Sequence, residues 1–201
     1  MLKVGITGGI GSGKSLISGI FRLLGVPVYN SDQRAKEIMN QNEKVRDQIS
    51  VLFGTEAYDL EGYLNRSYIA SRVFSNAKLL AKLNRIVHPE VGRDFNEWGL
   101  RHENHTYVLK EAALIFEAAI DKELDKVVLV FAPEDLRISR VMERDQIDED
   151  EVRGRIVNQW NDNKKAPLAD FIIVNDGKQQ LLRQTMEIHN FLIQYEQNPA
   201  K

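Results

Sequence analysis

Cysteine is missing from this 201-residue chain, which excludes disulfide frameworks, thiolate zinc sites and cysteine nucleophiles together. Neither sign of charge dominates, since 27 Lys and Arg against 29 Asp and Glu give a formal charge of -2 and a pI near 6.1. Nothing pulls the whole molecule toward nucleic acid or an anionic membrane, so any anion has to be held by a local site. Long hydrophobic runs are lacking as well. The apolar stretch at residues 127–132 is bounded by Lys126 and Pro133, far short of a bilayer span. Met1-Leu2-Lys3-Val4-Gly5-Ile6-Thr7 meets a glycine cluster too soon to offer the apolar core of a signal peptide. These absences predict a cytoplasmic protein acting on a small molecule, with no nucleic acid, no membrane and no obligate protein partner.

What is present is an ordinary globular composition, 43% hydrophobic and 28% charged, in a chain long enough to bury a sizeable core. Residues 2–7 are apolar, β-branched and ended by glycines, which predicts a buried strand. Ile17, Ile20, Phe21 and Leu24 then fall at i, i+3, i+4 and i+7, one face of a helix that Gly25 ends. Val26-Pro27-Val28-Tyr29 completes a βαβ unit as a second strand. Residues 33–105 are helical in pattern, with turn signals at Phe53-Gly54 and Glu61-Gly62. Strand character returns at 106–109 and 126–131, separated by a helical segment predicted around 114–123, and this order implies parallel pairing. A last strand is predicted at 171–174, and Leu181, Ile188, Leu192 and Tyr195 line a closing helix. The class expected is a three-layer α/β/α P-loop fold with a parallel sheet of about five strands. One domain over 1–201 is predicted, with 33–105 and 134–165 as sub-regions.

Gly8-Gly9-Ile10-Gly11-Ser12-Gly13-Lys14-Ser15 satisfies G-x-x-x-x-G-K-[ST] between a predicted strand and a predicted helix. Glycines let the backbone turn tightly and aim N–H groups inward, and the helix adds its positive end, so phosphate oxygens meet donors with no side chain between. Lys14 would reach the β- and γ-phosphates of ATP, and the Ser15 hydroxyl would bind Mg²⁺. Asp32 stands just past the second strand, at the carboxyl edge where reactive groups gather in open α/β sheets. It can serve as the base that takes a proton from an acceptor hydroxyl; it, or its neighbour Ser31, can equally cap the next helix.

Residues 134–165 are densely charged, and Asp148 with Glu151 has the spacing of a capping box, which predicts two helices joined near Gln146. Such an excursion is a candidate lid. Within it Arg137, Arg140 and Arg144 share one helical face, where a phosphate would offset their mutual repulsion; solvation beside Glu143 and Asp145 is the alternative. Lys164 and Lys165 are predicted to be solvated. The phosphate loop does not specify an acceptor, so another nucleotide or small-molecule kinase, or a nucleotide-dependent switch, stays open at this level. No N-K-x-D-like guanine signal is present.

Taken together the motifs resemble those of the dephospho-coenzyme A kinase family, over nearly the whole chain. Gly5-Ile6-Thr7-Gly8-Gly9-Ile10-Gly11-Ser12-Gly13-Lys14-Ser15 is similar to that family's phosphate loop, with Leu16 where the family usually has threonine. Asn30-Ser31-Asp32 resembles its D-x-D element, departing at Asn30 and keeping at Asp32 the aspartate to which the family assigns the catalytic carboxylate. Phe53-Gly54, Leu64-Asn65-Arg66, Val73-Phe74 and His88-Pro89 resemble landmarks of the coenzyme A side, and Glu111-Ala112-Ala113-Leu114-Ile115-Phe116-Glu117 is similar to an E-x-P-L-L-F-E segment with Ala113 for the proline. Arg140-Val141-Met142-Glu143-Arg144-Asp145, then Arg155-Ile156 with Gln159, resemble the lid, and Ala169-Asp170 with Asn175-Asp176-Gly177 the last strand and the loop beside the adenine. The resemblance implies phosphate transfer from ATP, with Mg²⁺, to the 3′-hydroxyl of dephospho-coenzyme A. It implies nucleotide contacts from Gly8 through Leu16 and from Asn175, and catalysis by Asp32, Lys14, Arg140 and Arg144. Acceptor contacts are implied at Asp32, Arg66, His88, Phe116 and Glu117, and a metal contact at Ser15.

Overall fold

The computed structural model describes residues 1–74 and 76–197; the side chains of Phe74, Ala77 and Gln197 lie outside the described residues. The backbone divides into two compact units, residues 1–30 with 102–201, and residues 31–101. The strands are β1 (Leu2–Thr7), β2 (Val28–Asn30), β3 (Tyr107–Glu111), β4 (Lys126–Phe131) and β5 (Phe171–Val174). The α-helices among the described residues are α1 (Lys14–Leu23), α2 (Ser31–Gln41), α3 (Glu43–Phe53), α4 (Arg66–Phe74), α5 (Ala77–Leu100), α6 (Glu134–Asp145), α7 (Glu149–Ile156), α8 (Asp162–Lys165) and α9 (Leu181–Gln197).

In the first unit the strands form one parallel sheet, ordered β2-β3-β1-β4-β5, so the glycine loop leaves the central strand. Side chains of β1 alternate between two faces, as strand geometry requires. Val4 and Ile6 are fully buried in a cluster with Ile17 and Phe21 of α1 and Ile188 and Leu192 of α9, each such side chain contributing about 1.5–3 kcal/mol on burial. Gly5 faces the other way, where a methyl group would come within 2.8 Å of Ile115 Cδ1. That face is covered by Ala112, Ile115, Phe116 and Val127, with Trp160 packed against them. The result is the α/β class expected, a five-stranded parallel sheet flanked by helices.

Three local boundaries differ from the sequence reading. β2 starts at Val28, because Pro27 has no N–H to give a ladder and instead accepts from Leu109 N through its carbonyl at 2.9 Å. β3 runs on past the predicted end at Leu109 through Lys110 and Glu111; both are buried, and desolvation lowers the Lys110 pKa. The helix predicted around 114–123 is instead a series of turns ending in one 3₁₀ turn, Ile120–Glu123. Its hydrogen bonds mix steps of four, three and five residues (Ala118 to Leu114, Ala119 to Phe116, Ile120 to Ile115), and Ala119 sits in the left-handed region at φ 54°. Burying Ile115 and Phe116 under Gly5 overrides helical regularity there.

The second unit is helical, as its pattern predicts. Three of its helices, α3, α4 and α5, are started by asparagine caps: Asn42 Oδ1 accepts from Val45 N at 3.1 Å, Asn65 Oδ1 from Tyr68 N at 3.1 Å, and Asn76 Oδ1 from Leu79 N at 3.0 Å. Gly54 and Gly62, at φ 89° and 83°, make the two turns read from sequence. Arg34 of α2 grips Asp94 of α5 with paired bonds of 2.9 and 2.5 Å. Tyr58 donates to Met39 O at 2.8 Å beneath the Arg46 guanidinium, and burial pushes its phenol up to about 12.

Candidate active site

The phosphate loop spans the carboxyl end of β1 and the start of α1, and a side chain on any of its four glycines would collide with a neighbour, at Gly8 with the backbone carbonyl of Val130. Gly11 and Gly13 lie at φ 78° and 94°, left-handed conformations that glycine adopts without strain. A methyl on Gly11 would collide with the backbone carbonyl of Arg137, one on Gly13 with the Asn175 amide, and one on Gly9 with the Arg137 guanidinium. The Lys14 ammonium folds back and donates to Gly8 O at 2.8 Å, which places it at the Gly8–Gly9 end of the loop.

At the carboxyl ends of neighbouring strands the register sets Ile6 and Asn30 on either side of Glu111. Ser15 Oγ donates to Glu111 Oε1 at 2.7 Å, and Asn30 Nδ2 approaches Oε2 at 3.4 Å. A hydroxyl and a carboxylate side by side at the loop's exit are oxygen donors of the kind Mg²⁺ takes. Glu111 was legible in the sequence as part of the similarity to the E-x-P-L-L-F-E segment, but nothing there put it beside Ser15. Parallel pairing did.

The charged excursion forms two helices with their own small core of Ile138, Val141 and Val152, against which Met142, Ile147, Ile156 and the loop residue Ile10 pack. Asp148 caps α7 by accepting from Glu151 N at 2.8 Å, and Gln146 ends α6 in the left-handed region. Ile10 N donates to Gln159 Oε1 at 2.8 Å, so main chain and side chain of the loop are both tied to this excursion. The three arginines of α6, read as one face, have three different environments. Arg137 is buried against Gly9 and Gly11. Arg140 spans to Asn175, with Nη1 3.3 Å from its carbonyl and Nη2 3.2 Å from Oδ1, while Asn175 Nδ2 donates to Ser12 O at 2.8 Å. Arg144 is largely exposed and forms an ion pair with Asp145 at 2.7 Å.

The match to known proteins is extensive. The family model described as Dephospho-CoA kinase fits residues 2–180. The dephospho-CoA kinase of Bacteroides fragilis strain YCH46 is 36% identical over 193 residues, covering 96% of this chain and 94% of that one. The one from Porphyromonas gingivalis is 38% identical over 189 residues, 94% and 93% of the two chains. The crystal structure of a Thermus thermophilus protein superposes with a TM-score of 0.84 at 32% identity, covering 94% and 96%. The chain belongs to the dephospho-CoA kinase family.

Membership makes the chain an ATP-dependent kinase, and the remaining residues singled out from the dephospho-CoA kinase resemblance can be placed. Asp32 lies in the first turn of α2, directly after β2, where the helix's positive end favours a carboxylate. It occupies the second helical position, so it is not the residue that precedes and caps the helix. Arg66 is exposed at the first position of α4, after the Asn65 cap. His88 is exposed within α5, which continues through Pro89. Leu16 is exposed on α1. Phe116 is buried in the core on the second face of the sheet. Glu117 accepts from Trp160 N at 2.9 Å and sits 2.9 Å from Lys165 Nζ. Lys165, predicted to be solvated, is fully buried; a buried anion opposite it explains the difference, since unpaired lysine would not enter a core. Lys164 lies over the Trp160 ring, 3.3 Å from its centre. Asp162 is also buried, and desolvation raises its pKa against the opposing pull of Arg137, Lys165 and Lys14. Arg137, Asp162 and Lys165 carry no motif that assigns them a role; the burial of three charged side chains is the signal. No helix among the described residues is long and apolar enough to cross a membrane.

Proposed function

We propose that this kinase moves the γ-phosphoryl group of ATP onto the 3′-hydroxyl of the ribose of dephospho-CoA, in the cytoplasm, with Mg²⁺ as the metal. The observation that carries the nucleotide half is the loop whose glycines are crowded by Arg137 and Asn175, with Ser15 and Glu111 2.7 Å apart at its exit. Membership of the dephospho-CoA kinase family carries the acceptor half.

Loop amides hold the phosphates, Lys14 swings from Gly8 O to the β- and γ-oxygens, and Ser15 with Glu111 would hold Mg²⁺, which would supply neutralising positive charge. Asp32 accepts the proton of the attacking hydroxyl. Arg140 steadies the loop through Asn175 and faces the nucleotide; Arg144 joins the phosphates by giving up Asp145, an exposed pair that costs little to break. Residues 31–101, with Arg66 and His88, take the acceptor, all within one kinase domain over 1–201. Phe116 and Glu117 act from behind, through the core and the Lys165 pair.

The test is transfer from ATP to dephospho-CoA by the purified protein, with the new phosphate mapped on the ribose. Phosphorylation of nucleoside monophosphates in place of dephospho-CoA would defeat the acceptor assignment. ATP hydrolysis indifferent to any acceptor would defeat the kinase reading.

A further inference from the structure

Arg137 is the arginine that no motif claims, yet it is the one built into the phosphate loop. It is 6% exposed, its Nε has no hydrogen-bond partner, and its guanidinium fills the space that a side chain on Gly9 would need. Among the described residues its one ion pair is with Glu134 at 3.6 Å, a carboxylate half exposed and shared with Arg153. A buried charge compensated this weakly is costly unless the site receives an anion.

Position identifies the anion. Lys14 marks the β,γ end of the cradle, and its ammonium is bonded to Gly8 O, next to the glycine that Arg137 covers. The buried carboxylate of Asp162, whose Oδ1 has no hydrogen-bond partner, lies within electrostatic reach of Arg137, Lys165 and Lys14 alike. Arg137 and Lys14 therefore meet at the Gly8–Gly9 end of the loop, while Lys165 is held by Glu117. Arg144, by contrast, is largely exposed and already paired with Asp145.

We infer that Arg137 binds the terminal phosphoryl group of the nucleotide, contributing paired N–H donors from beside the loop. This rests on the proposal that the loop holds ATP, and it is independent of the acceptor. Arginine suits the role because its planar fork meets two phosphate oxygens at once, which lysine cannot do.

Calorimetric titration of the full chain with Mg²⁺ and either ADP or the β,γ-imido analogue of ATP, with no acceptor present, separates the possibilities. For Arg137→Gln the expected result is a loss of about ten- to hundredfold in affinity for the analogue, with ADP changed by less than about threefold. Arg137→Lys should lose less, again only for the analogue. Equal weakening toward both nucleotides would mean that Arg137 merely shapes the loop, and unchanged binding of both would mean that it touches no phosphate; either overturns the inference. Should Arg137→Gln fail to fold in a thermal melt, Arg137→Lys decides by the same comparison, a loss confined to the analogue supporting the inference and any other pattern overturning it. If wild-type protein binds both nucleotides yet does not phosphorylate dephospho-CoA, the acceptor proposal fails and this one stands.

Discussion

Replacing Lys165 by methionine should be among the most destabilising single changes outside the main core. Its ammonium is fully buried 2.9 Å from Glu117, whose side chain is 12% exposed. Methionine matches the length of the stem but removes the charge, so Glu117 keeps only its bond from Trp160 N at Oε1, while Oε2 is already without a partner. Breaking a buried pair from one side costs about 3–5 kcal/mol. For 201 residues the unfolding entropy is roughly 0.4 kcal/mol per kelvin, so the midpoint should fall by about 7–12 °C. Glu117→Gln combined with Lys165→Met should recover most of that loss, because the amide oxygen still accepts from Trp160 N and no charge is left stranded. Urea or thermal unfolding of the wild type, both single variants and the double variant closes the cycle, with an expected coupling of at least about 2 kcal/mol. A double variant that loses the sum of the two singles, or a Lys165→Met protein within about 1 kcal/mol of wild type, would show that the pair does not hold this segment.

Asp32→Asn should lower kcat by about 10²- to 10⁴-fold while ATP affinity stays within about twofold, as a missing base predicts; parallel loss of nucleotide binding, followed by titration, would remove Asp32 from that role. Gly13→Ala combines a left-handed φ of 94° with collision against Asn175, so nucleotide affinity should drop by about tenfold or more, and normal affinity would mean that the loop yields easily. His189 is bonded to Tyr107 at 2.7 Å, and burial holds its pKa below 6.5. The unfolded chain therefore binds the extra proton first: this contribution is intact above about pH 7 and is lost as pH falls from the unfolded value through the lower folded one. Wild-type melting temperature should accordingly fall more steeply between about pH 7 and 5 than that of His189→Gln, and identical slopes would refute the assignment.

Much of the nucleotide side was legible from residues alone, because a phosphate loop is a local object. Its glycines, Lys14 and Ser15 lie within eight consecutive positions, and the flanking strand and helix announce themselves by period. The cap at Asp148 and the turns at Gly54 and Gly62 are local in the same way, each depending on a few neighbouring backbone groups. Family resemblance extended the reading to the acceptor, since it draws on many positions in order. The turns at 113–119 were missed because helical spacing there reflects packing under Gly5 rather than a backbone ladder.

Composition and spacing by themselves determined the α/β class, the phosphate loop and the two-helix excursion, all of them consequences of contacts short in sequence. Only the tertiary structure decided that Glu111 meets Ser15, that Lys165 is buried against Glu117, and that Arg137, Arg140 and Arg144 part company along one helix. Those outcomes depend on strands and helices about 40 to 160 residues apart in sequence coming together, and the free energy of a charged side chain is set by the neighbour it is buried against, which no local pattern encodes.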